Sequence, residues 1–186
     1  MSDRRTRILE ASTRCIARDG VRGLRVEEVA AGAGVSTGLI YYHFKDRPGL
    51  LRATLDHVNE RTERYTEPRG ATARERLEET LLLELQDTDE VREVSAAWGE
   101  LRATTVFDPQ LRDQLRLSTA EWTAELAGLV RAAHTEEPAR RAADPEDSAG
   151  RLVALVEGLS ELWLSGSMEL DRARALLRGA VALELG

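Results

Sequence analysis

One cysteine, Cys15, in 186 residues leaves this chain no internal disulfide. Its place on the apolar side of the first helical stretch makes it a core residue, not a reactive thiol. Glycine and proline are few and grouped, and no segment alternates apolar and polar residues with the two-residue period of a strand. No apolar run reaches the ~18 residues that would span a bilayer. The opening MSDRRTR lacks the apolar core of a signal peptide, so a cytoplasmic location is expected. The histidines are three and scattered, at 43, 57 and 134, and His57 reads as a surface position. With no HExxH, no CxxC and no phosphate-cradling glycine loop, an enzyme reading has nothing to build on. Neither a catalytic residue, a metal nor a cofactor is expected.

What is present is helical. At 42% apolar and 32% charged the composition is that of a globular domain. Apolar positions recur at helical spacing over 3–19, from 26, 37–44, from 46 to the high sixties, 71–86, 90–105, 109–134, 146–165 and 171–185. The expectation is an all-α fold of about nine helices. The cluster at 67–70, Glu-Pro-Arg-Gly, is the clearest break, and 135–145 is a polar loop containing proline. Charge is uneven. Residues 1–50 carry nine bases and six acids, which leaves −10 on the rest of a chain whose net charge is −7. A basic head on an acidic body suits a protein that touches phosphate with its head alone.

The stretch over 26–47, VEEVAAGAGVSTGLIYYHFKDR, organises the chain. Val26, Val29, Ala30 and Ala33 give a short helix one apolar face. Gly34 suits a left-handed helix end, and Ser36 suits an N-cap. The next helix, 37–44, spends only Ile40 and Phe44 on a core. Tyr41, Tyr42 and His43 are consecutive and point about 100° apart, so they cannot all face one core. In a chain with only 4% aromatics, such a surface display implies a partner, and Lys45 and Arg47 follow at once. Two short helices joined by a tight turn, the second polar and aromatic, form the helix-turn-helix pattern.

Residues 6–55 resemble the DNA-binding domain of the tetracycline-repressor (TetR) family. ARDG at 17–20, VEEVAAGAGVS at 26–36 and TGLIYYHFKDRPGLL at 37–51 carry the likeness. The resemblance implies a DNA-binding domain over 1–48 and a helical ligand-binding and dimerisation domain over 49–186, with the fourth helix connecting them. It implies that Thr37, Gly38, Leu39 and Tyr41 face the bases or the groove, and that Tyr42, His43, Lys45 and Arg47 lie towards phosphates. The chain departs from the family pattern at Arg25, which stands where a threonine N-cap is usual. Arg25 cannot accept from the helix N–H groups, so it is assigned to a phosphate instead. Glu27 and Glu28 suit the helix dipole, and at least one is expected to face an arginine of the first helix. The expected function is a DNA-binding transcriptional regulator, a repressor released from a pseudo-palindromic double-stranded operator by a small-molecule inducer.

The last two helices read as a dimer interface. The segment 151–166 is apolar around more than one stripe, so two sides need cover. Ala154, Leu155, Gly158, Leu159 and Leu162, with Leu176, Leu177 and Ala180 of the last helix, are assigned to a four-helix bundle about a two-fold axis. The alternative is a deep monomer core. The final segment, with VEGL and the terminal ALELG, also resembles the betaine-regulator (BetI-like) branch. All three tryptophans, Trp98, Trp122 and Trp163, fall in the body. With Phe107, and with Glu84 or Glu157 as counter-charge, they are the candidate lining of an inducer pocket. Plain core is the alternative for each of them. A choline-like inducer follows only from the branch resemblance.

Overall fold

The computed structural model describes residues 3–65, 68–137 and 143–186. Among them are nine α-helices and no strand. The helices are α1 Arg4–Gly23, α2 Val26–Ala33, α3 Thr37–Phe44, α4 Arg47–Tyr65, α5 Ala73–Leu83, α6 Asp89–Thr105, α7 Arg112–Glu136, α8 Pro145–Leu164 and α9 Leu170–Leu185, with a 3-10 turn at Pro109–Leu111 before α7. The all-α expectation holds. Glu67 of the expected break, and 138–142 of the expected loop, lie outside the described residues.

The chain forms two compact units. The first holds residues 1–62 and 92–116, and the second holds 63–91 and 117–186. In the first, α1 contributes Ile8, Leu9, Cys15 and Ile16 to a core shared with Val26, Val29 and Ala30 of α2. Cys15 is buried there, and burial pushes its thiol pKa up, which keeps it protonated and inert. The regular course of α1 stops at Gly20, whose φ of 73° and ψ of 168° suit glycine almost exclusively. Glu100 of α6 meets that break and accepts from the Val21 N–H at 3.2 Å.

Helix α4 starts from Asp46, whose carboxylate accepts from the Gly49 N–H at 2.7 Å. Pro48 sits in the first turn, where its missing N–H does no harm. Leu50, Leu51, Leu55 and Val58 are fully or almost fully buried. So, contrary to the sequence reading, is His57, at 5% exposure. The reason is that α4 is covered on a second side: Arg61 pairs with Glu93 of α6 at 2.6 Å, and Gln114 of α7 bonds the Arg52 carbonyl. Neither partner is near α4 in sequence.

The second unit is built on Leu77, Leu81 and Leu85, Leu126 and Val130, Leu152, Val156 and Leu159, and Leu177 and Val181. A capping box at Thr72 and Glu75 starts α5. At the open end of the α8–α9 pair, Glu184 accepts from Arg151 at 2.6 Å and from the Ser148 hydroxyl at 2.6 Å. The Arg151 bond, then the Ser148 bond, outweigh burial and hold the Glu184 carboxyl below the usual carboxylate range. A folded-state pKa below the unfolded value adds stability that is complete above the unfolded pKa of about 4.3 and is lost as pH falls through the folded one. Acid melts of the parent chain and Glu184→Gln are therefore expected to converge below about pH 4, with the parent the more stable at neutral pH. A constant gap down to acid pH would show that the bond contributes nothing pH-dependent.

Candidate nucleic-acid interface

Helix α2 buries Val26, Val29, Ala30 and Ala33 and ends at Gly34, with φ 64° and ψ 42°. The Gly34 N–H donates to the Ala31 carbonyl at 3.2 Å and the Val35 N–H to the Ala30 carbonyl at 3.0 Å. This pair of bonds is the Schellman motif, which satisfies the orphan carbonyls and reverses the chain in a few residues. Ser36 then caps α3, its hydroxyl accepting from the Leu39 N–H at 3.3 Å. The turn is therefore fixed by the two residues the sequence assigned to it.

On α3 only Ile40 and Phe44 are buried. Thr37 and Leu39 are half-buried, Gly38 and His43 are exposed, and Tyr41 and Tyr42 are 47% and 81% exposed. The Tyr42 and His43 rings meet edge to face, with centroids 5.4 Å apart. Their polar tips are thus presented from a partly ordered aromatic pair, which lowers the entropy lost on binding.

Helix α3 ends in a strained turn. Lys45 has φ 67° and ψ −54°, and it is the one non-glycine residue with positive φ among the described residues. The Asp46 N–H donates to the Phe44 carbonyl at 2.8 Å across it. This is a γ-turn of the rare, positive-φ kind, and strain of this type gathers at functional sites. Lys45 is exposed at its apex.

Two of the proposed cations behave differently from one another. Arg25 has no capping bond, lies 3.8 Å from Glu28 and is 76% exposed at its side chain, so it remains available. Glu28 is also 3.0 Å from Arg18 of α1, which bears out the expected pairing of an α2 acid with an arginine of the first helix. Arg47 differs from the expectation. It is half-buried, and its guanidinium donates to the Val21 carbonyl, fastening the start of α4 to the end of α1. Its arrangement is that of a structural brace.

The body residues also divide. Trp98 and Phe107 lie in the first unit; Trp122, Trp163, Glu84 and Glu157 lie in the second. The Arg102 guanidinium already stacks on the Trp98 ring, 5.5 Å from its centroid. Phe107 follows the end of α6, where its N–H donates to the Thr104 carbonyl at 3.0 Å, and it is 79% exposed in this chain. Trp163 is buried and Trp122 half-buried against the same core. Of the dimer set, Leu159 and Leu177 are 3% and 0% exposed and face their own core, which corrects their assignment. Ala154, Gly158 and Leu162 are exposed, and Leu155, Leu176 and Ala180 are half-buried. No described group of His, Cys, Asp and Glu could hold a metal ion, and no described helix is long and apolar enough to cross a membrane.

A capped two-helix turn with a second helix that presents its polar and aromatic face outward defines a helix-turn-helix DNA-binding protein. Comparison with known proteins narrows this. The family description "Bacterial regulatory proteins, tetR family" matches residues 8–54, and "BetI-type transcriptional repressor, C-terminal" matches 73–186. The chain belongs to the TetR family of transcriptional regulators, with a BetI-type C-terminal region. It is 30% identical over 169 residues to the HTH-type transcriptional regulator BetI of Burkholderia cenocepacia, covering 89% of this chain and 82% of that one. A TetR-family regulator from a Rhodococcus species superposes with a TM-score of 0.92 at 47% identity, over 100% of both chains. A transcriptional regulator from Saccharomonospora viridis, solved in complex with choline, superposes with a TM-score of 0.81 at 27% identity, over 96% of this chain and 95% of that one.

Proposed function

We propose that this regulator is a repressor that binds a pseudo-palindromic operator as a homodimer and leaves it when a small-molecule inducer binds. The observation that carries the DNA-binding part is the outward display on α3: one eight-residue helix buries two side chains and exposes Tyr41, Tyr42 and His43. Thr37, Gly38, Leu39 and Tyr41 are assigned to the bases and groove. Tyr42, His43, Lys45 and Arg25 are assigned to phosphates, where such contacts fix register without reading sequence. Footprinting on the DNA upstream of the chain's own gene tests the reading. A protected pseudo-palindrome is expected, and uniform or absent protection would overturn it.

The dimer assignment rests on exposed apolar surface at the α8–α9 face. Leu162 and Leu183 are 41% and 85% exposed. A Cβ added at Gly150, Gly158 or Gly179 would meet nothing within 4 Å, so these positions leave room for a second copy to approach closely. The Leu162→Glu/Leu183→Glu variant is expected to keep its helical circular dichroism and sediment as a monomer. A dimer of unchanged strength would refute this face as the interface.

The inducer is assigned to the class of choline-like quaternary ammonium ions. The support is the BetI-type C-terminal region and the Saccharomonospora viridis relative described with choline. In this chain Trp122 and Trp163 both belong to the second unit, as do the acids Glu157 and Glu84, and they are the residues assigned to a cation–π cage. Saturable quenching of tryptophan fluorescence by choline is expected. Response to neutral apolar compounds alone would discard this class.

A further inference from the structure

The cations at the foot of α3 extend beyond the helix itself. Arg5 of α1, Lys45 of the γ-turn and Arg52 of α4 line one open cleft of about 460 Å³ together with His43, and Asp56 is the one acid among the described residues that line it. Gly49 adds no side chain to it. The Arg5 guanidinium lies over the Phe44 ring, 5.7 Å from its centroid, which positions that charge without neutralising it. Among the described residues none of the three cations pairs with a carboxylate.

Asp56 is the point of interest. It lies four residues after Arg52 on α4, the spacing at which opposite charges meet on a helix surface. The two do not pair. Gln114, from the start of α7, donates its side-chain amide to the Arg52 carbonyl at 2.9 Å and also to the Asp56 carboxylate. One amide therefore engages the acid that would otherwise reach the Arg52 guanidinium.

We propose that this cleft is a phosphate-binding notch, and that Gln114 is a positioning residue that keeps it cationic by holding Asp56 away from Arg52. The inference deepens the DNA-binding reading and rests on it only for the source of the phosphate, which is either the duplex backbone or a free anion. The three cations that line the cleft outnumber its one acid, whose carboxylate is engaged by Gln114, so the cleft carries the sign of charge that attracts a phosphate. A notch dependent on Gln114 would also make phosphate affinity sensitive to the start of α7, a segment outside the helix-turn-helix.

The test uses the full chain and a random-sequence duplex, so it needs no operator. The salt slope of binding is measured for the parent, Arg52→Gln, Gln114→Ala, Asp56→Asn and Gln114→Ala/Asp56→Asn, with thermal melts to verify folding. In parallel, inorganic phosphate is titrated at constant ionic strength while the melting temperature is followed. Arg52→Gln and Gln114→Ala are each expected to flatten the slope by about 0.9 for each phosphate no longer neutralised. Asp56→Asn is expected to restore the slope in the Gln114→Ala background, a rescue that a merely structural glutamine would not give. An unchanged slope in Arg52→Gln overturns the notch, and absence of rescue overturns the role of Gln114. If the parent binds no duplex, the DNA-binding reading fails separately. The notch then stands only if inorganic phosphate raises the melting temperature of the parent and not of Arg52→Gln, and absence of that rise overturns it.

Discussion

Gly38→Leu is expected to fold at least as well as the parent chain while losing DNA affinity by on the order of 100-fold, the scale of two base contacts at about 1–3 kcal/mol each. The two halves of this expectation have separate causes. Within the chain, a Cβ at position 38 would find its nearest neighbour at 3.8 Å, the Ser36 hydroxyl, which is ordinary contact. Replacing a helical glycine also gains up to about 1 kcal/mol of helix propensity. In the proposed docking, the same exposed site near the start of α3 is where the backbone would approach the groove floor, and a branched side chain there would hold the helix away. Melting curves and anisotropy on one preparation separate stability from binding. Equal loss of both would mean that Gly38 serves the fold and not the groove.

The largest expected effect on stability is at Gly20. Its φ of 73° and ψ of 168° lie in a region that costs a residue with a side chain about 1–3 kcal/mol. An added Cβ would also stand 2.7 Å from the Glu100 carboxylate oxygen. That carboxylate would swing away and leave the Val21 N–H unpaired, a further loss of about 1 kcal/mol. Gly20→Ala is therefore expected to cost about 2–4 kcal/mol and to lower the melting temperature by roughly 4–16 °C, at ~2–4 °C per kcal/mol for a chain of this size. Glu100→Gln keeps an acceptor for the same N–H, and a much smaller shift is expected from it. If both variants melt alike with the parent, neither the glycine nor the bond fixes the α1 break.

The contrast between these residues shows what was legible in the sequence. Gly34, Ser36, Ile40 and Phe44 act through neighbours within a few positions, so spacing and capping chemistry were enough to place them. That Tyr41, Tyr42 and His43 could not all be buried followed from helix geometry alone; which of the two tyrosines stands out further, Tyr42 at 81% exposure, did not. His57, Arg47 and Gln114 depend on partners more than twenty residues away, or on cover from α6 and α7, and no local pattern announces those. Leu159 and Leu177 were placed on the wrong side for a related reason. A helix apolar around most of its circumference shows that two faces are covered, but its composition does not say which face belongs to which neighbour. The γ-turn at Lys45 was not readable either, since lysine gives no signal for positive φ; strain there is a property of the α3–α4 junction.

The central claim is that the surface of α3 reads DNA sequence. Fluorescence anisotropy tests it most directly, with labelled duplexes tiling the region upstream of the chain's own gene and a scrambled duplex of equal composition, each at two salt concentrations. The expected result is one duplex bound at least about 1,000-fold more tightly than the scrambled control, with that preference reduced by on the order of 100-fold in Gly38→Leu. Equal affinity for every duplex, with the same salt dependence throughout, would contradict the claim and leave α3 as a phosphate-binding surface without sequence preference.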